Sequence, residues 1–219
     1  MIKTTDIYPT KTTVLFIRFL GGQFEPESGG QFEMAEGGQF PVAGGGQFAW
    51  IFQISYQPFE NEMPFKLIIH PYFLKQYNNR WFLFGYNPEK EKYDWNLALD
   101  RIKEITEKKG KYQKNNLIKW EEYFEDIIGV TIPIDTKPEK IVLHFAGRTG
   151  NYIETKPLHG SQKSKWLDDT TLEVTLQIII NYELERLILS YADSVAVIQP
   201  KTLSNAIRNR LKEALKLYK

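Results

Sequence analysis

His70-Pro71-Tyr72-Phe73-Leu74-Lys75-Gln76-Tyr77-Asn78-Asn79-Arg80-Trp81-Phe82-Leu83-Phe84-Gly85-Tyr86-Asn87 decides how this chain is read. Aromatic side chains suit a pleated, half-buried surface, so both arms of the stretch read as β-strands. Asparagine tolerates positive φ, and Asn78-Asn79 therefore fits a two-residue hairpin turn. In the second arm Arg80, Phe82, Phe84 and Tyr86 share one face, with Trp81 and Leu83 on the other. One face is expected to be core, which leaves the other for a ligand. Aromatic rings alternating with a guanidinium can stack flat rings and pair with phosphate or carboxylate. The stretch therefore speaks of binding before chemistry.

Working outward, strands are expected over 50–56, 65–70, 72–77, 80–86 and 93–99. Pro58, Asn61 and Pro64 mark one turn, and Asn87-Pro88 a wider one. Five short strands in so little chain predict a small, strongly bent barrel that removes its own edges. The combination of His70-Pro71-Tyr72, Asn79-Arg80-Trp81-Phe82-Leu83 and Leu99-Asp100-Arg101-Ile102, with Ile54-Ser55-Tyr56 as first strand, resembles a WYL domain. Phe82 stands where that family has its name-giving tyrosine, so one hydroxyl is missing. The family's usual lead-in helix is replaced here by Gly-rich sequence. The resemblance implies a Sm-like or SH3-like barrel that senses a ligand, with nucleic acid or nucleotide-like anions as the suspected ligands.

Residues 108–119 hold five lysines and no acid, and they read as a solvated linker. A short helix is expected over 121–128, ended by Gly129. Beyond it, a strand over 140–145, a helix over 147–155 and a strand over 162–166 precede a turn at Asp168-Asp169. Leu172, Val174, Leu176, Ile178 and Ile180 then alternate with polar residues, as in a half-buried strand. Asn181 is placed to cap a helix carrying Leu184, Leu187, Ile188 and Tyr191. A strand over 194–199 follows, and Pro200 opens a last helix with Leu203, Ile207, Leu211, Leu215 and Tyr218 on one stripe. The order β-α-β-β-α-β plus a helix is the ferredoxin-like one. Lys156-Pro157-Leu158-His159 with Ser161-Gln162, Leu189-Ser190-Tyr191 and Ile198-Gln199-Pro200 resemble the WCX extension that follows WYL domains. That resemblance implies a module that helps the protein dimerise and can close over the ligand site. The expected organisation is an irregular segment over 1–49, a WYL-like barrel over 50–107, a linker with a short helix over 108–138 and a WCX-like domain over 139–219.

The first fifty residues carry Gly-Gly-Gln-Phe four times, beginning at Gly21, Gly29, Gly37 and Gly45. Paired glycines cost too much backbone entropy for a regular helix. The segment reads as flexible or loosely looped, as a series of docking phenylalanines, or as an expanded coding repeat with no selected role. Residues 12–20 ahead of it read as a strand. Neither region holds two amphipathic helices joined by a turn, so no helix-turn-helix is expected there. The early apolar run is too short for a membrane span and lacks a cleavage site, so Met1 is expected to begin the mature chain.

The chain's 219 residues, 42% hydrophobic and 14% aromatic, allow a packed core in each of two small domains. Its 28 basic and 27 acidic residues leave a charge of +1, so affinity for an anion must come from a local patch. The absence of cysteine rules out disulfides and thiolate chemistry and fits a reducing cytoplasm. His70, His144 and His159 lack the spacing of a zinc site. Ser55, His70 and Asp100 could be drawn as a triad, but Ser55 has no Gly-x-Ser-x-Gly elbow. Gly147-Arg148-Thr149-Gly150 reads as a turn rather than a phosphate cradle. Neither catalysis nor a cofactor is expected.

Ligand-binding candidates are Arg80 and Arg101, whose guanidinium forks match phosphate, and Tyr56, Tyr72 and Phe82 as stacking faces. Core packing with a wet edge is an equal reading of the two tyrosines, and His70 is either a ligand contact or a hydrogen-bonded structural histidine. Arg148, Lys156 and His159 could add cations from the second half, against simple surface solvation. The resemblance implies a ligand-sensing regulatory protein that binds a nucleotide-like or oligonucleotide anion and controls transcription directly or through a DNA-binding partner chain. A homodimer is expected, and a membrane is not. A single-stranded nucleic-acid-binding accessory protein is the alternative, and a remnant fold without activity the third.

Overall fold

The computed structural model of the protein describes residues 51–218. Trp50, the strand expected over 12–20 and the Gly-Gly-Gln-Phe repeats lie outside the described residues. The chain divides into two compact units, one ending at Glu121 and the other beginning at Glu122.

The first unit is a five-stranded antiparallel sheet: β1 (Ile51–Tyr56), β2 (Phe65–Tyr77), β3 (Arg80–Asn87), β4 (Lys92–Ala98) and β5 (Ile102–Lys108) in the order β4-β3-β2-β1-β5. Asn78 and Asn79 both have positive φ, 47° and 59°, so the β2–β3 connection is the expected tight hairpin. The two strands read over 65–70 and 72–77 are one strand, broken in register between Pro71 and Phe73. The extra residue reverses the alternation. Leu67 and Ile69 point into the core before it, and Leu74 after it. Gly85 lies opposite Pro71, and a Cβ there would collide with the His70 carbonyl, so the close approach at the bulge requires glycine.

Strand β5 was not legible. Its apolar residues Ile102 and Ile105 stand three apart among charges, without alternation, yet it pairs along β1 with Ile54 facing Ile105 and Tyr56 facing Ile102. A 3-10 turn, Leu99–Arg101, carries the chain from β4 to β5. Among the described residues no pairing joins those two strands, so the sheet is open, with β4 and β5 as its edges, and does not remove its own edges as expected. Phe52, Ile54, Leu67, Ile69, Leu74, Leu83, Leu97, Leu99 and Ile102 form the core beneath it.

Residues 109–119 are not a free linker. Tyr112 donates its hydroxyl proton to the Pro71 carbonyl at 2.7 Å, the Gln113 N–H donates to His70 Nδ1 at 2.9 Å, and Tyr72 donates to the Gln113 carbonyl at 2.9 Å. The segment is thus strapped across the bulge of β2. It ends in a single helical turn, α1 (Trp120–Tyr123), whose buried Trp120 stacks on Phe73 at 5.3 Å and leans on Phe84. The longer helix expected over 121–128 does not form. The Asp126 and Ile128 carbonyls are instead taken by the Ile179 N–H and the Asn181 amide, and Gly129 turns the chain at φ 92°.

The second unit runs β6 (Glu139–Ala146), α2 (Arg148–Thr155), β7 (Lys163–Trp166), β8 (Thr171–Ile178), α3 (Tyr182–Ser190), β9 (Val195–Gln199) and α4 (Lys201–Lys216). Its four strands lie antiparallel in the order β7-β8-β6-β9. Leu172, Val174, Leu176 and Ile178 are buried along β8, as the alternation predicts, with Ile141, Leu143 and Phe145 beside them on β6. Asn181 is the N-cap of α3: its Oδ1 accepts from the Leu184 N–H at 2.8 Å. The stripe on α4 is buried only at Leu203 and Ile207, leaving Leu211, Leu215 and Tyr218 exposed. The five residues of β9 span roughly 17 Å and the sixteen of α4 roughly 24 Å, so the helix outruns the strand it packs on.

Candidate anion-binding site

Two elements of the first unit bring the guanidinium groups of Arg80 and Arg101 together. The β1–β2 loop is braced: Gln57 Nε2 donates to the carbonyls of Asn61 and Glu62, the Asn61 N–H donates to Pro58, and the Gln57 N–H donates to the Arg101 carbonyl at 3.0 Å. At its tip Phe59 is 70% exposed. The Arg101 guanidinium lies 4.3 Å from the centre of that ring, and the Arg80 guanidinium 5.9 Å from it. Asp100 pairs with Arg80 Nε at 3.1 Å. Both guanidinium groups thus lie against one ring, and Asp100 is paired with Arg80. Arg101 Nε is buried and has no hydrogen-bond partner among the described residues. An anion against the exposed part of the Arg101 guanidinium would gain a charge-assisted bond.

The other candidates of this unit do not join that cluster. Tyr56 is buried and its hydroxyl accepts from the Ala98 N–H at 3.3 Å, which makes it core with a satisfied tip. His70 is buried beside the strap and close to the rings of Tyr86 and Tyr112, at 5.5 and 5.6 Å. Its Nδ1 accepts the Gln113 N–H, so the neutral ring carries its proton on Nε2, and burial lowers its pKa. Tyr72 is bonded to the strap, and burial, then the neighbouring tyrosines Tyr112, Tyr93 and Tyr86, raise its pKa. Burial likewise pushes Tyr112 up to about 12. Phe82 is half-buried opposite Ala98, next to the 3-10 turn that carries Asp100 and Arg101. His70 and Asp100 are engaged separately, Asp100 by Arg80 and His70 by Gln113.

In the second unit Arg148 and Lys156 are exposed at the two ends of α2. His159 closes a hydrogen-bonded loop: its Nδ1 accepts from the Ser161 N–H at 3.1 Å and lies 3.0 Å from the Ser161 hydroxyl. Gln162 completes it, accepting from the Leu158 N–H and donating to the Ile153 carbonyl and the Ser164 hydroxyl. Burial lowers the His159 pKa, opposed by a hydrogen bond to the Glu125 carbonyl and the charge of Asp126. The motif Leu158-His159 with Ser161-Gln162 is therefore a loop lock. Among the described residues no group of three or more His, Asp or Glu could hold a metal ion, and no helix is long and apolar enough to cross a membrane.

Residues 51–107 match the WYL domain, and residues 137–215 match the WCX domain. The chain carries a WYL domain followed by a WCX domain. These two domains occur in WYL-family regulators, and they are regulatory rather than enzymatic. Among solved structures the chain is similar to the proteasome accessory factor B/C of Arthrobacter aurescens, at 15% identity and a TM-score of 0.32, covering 78% of this chain and 25% of that one. It is also similar to a CRISPR Cas-related protein, at 10% identity and a TM-score of 0.46, covering 78% of this chain and 48% of that one. The chain therefore spans about a quarter of the first protein's length and about half of the second's. No curated protein matches the sequence.

Within the WYL domain, Phe59 and the pairing role of Asp100 escape the sequence reading. Phe59 stands among Pro58, Glu60, Asn61 and Pro64, where turn formers mark a loop and one aromatic residue carries no periodicity. Its signal is of another kind: a large apolar side chain between two turn-forming prolines, with nothing apolar beside it to pack on.

Proposed function

We propose that this WYL–WCX protein is a ligand-sensing regulator whose WYL domain binds a nucleotide-like or oligonucleotide anion between Arg80 and Arg101, and which controls transcription directly or through a partner chain. The observation that carries this reading is the pair of guanidinium groups gathered at Phe59, Arg101 at 4.3 Å and Arg80 at 5.9 Å from its ring, with an Arg101 Nε that has no hydrogen-bond partner among the described residues. The same reading takes the first unit as a Sm-like or SH3-like arrangement left open at the β4–β5 seam, and the second as ferredoxin-like, in keeping with its β-α-β-β-α-β order. The homodimer, the cytoplasmic location and the DNA-binding partner chain belong to this reading too.

Truncating one partner of a charge-assisted pair costs roughly 1.5–3 kcal/mol, so Arg101→Ala and Arg80→Ala should each weaken binding of a fluorescent oligothymidylate about ten-fold or more. Unchanged affinity in both variants would place the site elsewhere. A second reading, direct holding of a single strand by an accessory protein, is favoured by the exposed Lys109 and Lys111 on the strap. Each phosphate neutralised adds a slope of about 0.7 to the logarithmic salt dependence. A steep slope that Lys109→Ala and Lys111→Ala both flatten supports the strand, and a shallow one that they leave alone supports a small anion.

A further inference from the structure

An aromatic ring held at the tip of a braced loop presents a rigid flat face on which another flat ring can stack. Phe59 is such a ring, and the loop that carries it is not loose, being closed by the Gln57 side chain and tied to the 3-10 turn through the Arg101 carbonyl. Arg101 lies over the ring at 4.3 Å, and with 70% of the residue still exposed, the ring keeps a side open to solvent. Guanidinium and phenyl together form a two-layer stack whose outer layer no described residue is shown to cover.

We infer that Phe59 is the specificity residue of the WYL-domain site: its open side stacks a flat ring of the ligand while Arg101 and Arg80 hold the attached anion. This rests on the reading of the two arginines as the anion site. The chemistry it selects is a phosphate bearing an aromatic ring, over a bare polyanion of equal charge. Phenyl faces stack all nucleobases, so the selection is for a base and not for its identity. The cation against the other side of the ring does not oppose this, because a guanidinium is itself held by the ring's negative face.

The test uses the full chain and two matched probe pairs, oligothymidylate against an abasic oligomer with the same number of phosphates, and thymidine monophosphate against inorganic phosphate. The expected result is a preference of roughly five-fold or more for the base-bearing member of at least one pair, the size that stacking one base provides. Preference in the first pair assigns a strand as the source, and preference confined to the second assigns a mononucleotide. Phe59→Leu should abolish the preference and leave affinity for the base-free probes unchanged, while Phe59→Tyr should retain it. If Phe59→Leu keeps the preference, or weakens base-bearing and base-free probes alike, the stacking role is overturned while the anion site stands. If Arg80→Ala and Arg101→Ala leave every probe unaffected, the anion site itself is overturned.

Discussion

His70 shows how a single ring nitrogen can decide what a surface is for. A histidine among tyrosines on a strand looks like a ligand group, but its Nδ1 lone pair is used by the Gln113 N–H, and its ring packs against those of Tyr86 and Tyr112. Protonation would set a donor against a donor and break the strap at that point. Because the folded pKa lies below the ordinary value of 6.5, the unfolded chain binds the proton more readily. The stabilisation is complete above the unfolded pKa and is lost as pH falls through the folded one. His159 works in the same direction from the other unit, so a pH titration of the wild type alone mixes the two. Comparison with His70→Gln separates them: the difference in urea midpoint should correspond to about 1 kcal/mol at pH 7.5 and shrink as the pH falls below 6. A difference independent of pH would mean that His70 packs without titrating.

At the level of elements, Asn181 does more than start a helix. Its Oδ1 caps α3 while its Nδ2 donates to the carbonyls of Ile128 at 2.8 Å and Thr131 at 2.9 Å, binding the turn at Gly129 to the end of β8. Losing the cap costs about 1 kcal/mol, and leaving a buried carbonyl without its donor adds about 1–3. Asn181→Ala should therefore destabilise the second unit by about 2–4 kcal/mol in chemical denaturation. Asn181→Asp keeps the cap acceptor but aims a carboxylate at two carbonyl oxygens, and should be no better than alanine. If aspartate restores stability, only the cap matters. The cap, the Asn78-Asn79 hairpin and the alternation along β8 were all legible because local residues dictate them. The bulge in β2, the pairing of β5 and the strap over 109–119 were not. Each is fixed by partners distant in sequence: Gly85 for the bulge, Ile54 and Tyr56 for β5, and His70 and Pro71 for the strap.

Across the whole molecule, strand-only sequence gives way to alternating strands and helices near residue 140, whereas the two compact units part earlier, between Glu121 and Glu122, because the segment ahead of β6 packs by contacts that no period announces. The candidate site was half legible. Arg80 and Arg101 were found by the chemistry of their side chains, whereas Phe59 depends on a loop fold that no period announces. All four residues of the site, Phe59, Arg80, Asp100 and Arg101, belong to the first unit, whose core of Phe52, Ile54, Leu67 and Leu83 is complete within it. The second unit rests on its own buried side chains, among them Leu143, Val174 and Leu176. Large-to-small changes in such cores cost about 2–5 kcal/mol, so Leu176→Ala and Ile54→Ala are of comparable severity. Their consequences should differ. Leu176→Ala should lower the unfolding temperature of the second unit yet leave affinity for oligothymidylate unchanged wherever the first unit is folded. Ile54→Ala, on the core face of the strand that leads into the Phe59 loop, should lose affinity in parallel with the unfolding of the first unit. Calorimetry with binding measured at the same temperatures checks both, and a loss of affinity in Leu176→Ala well below the first unit's transition would show that the second unit contributes to the ligand site.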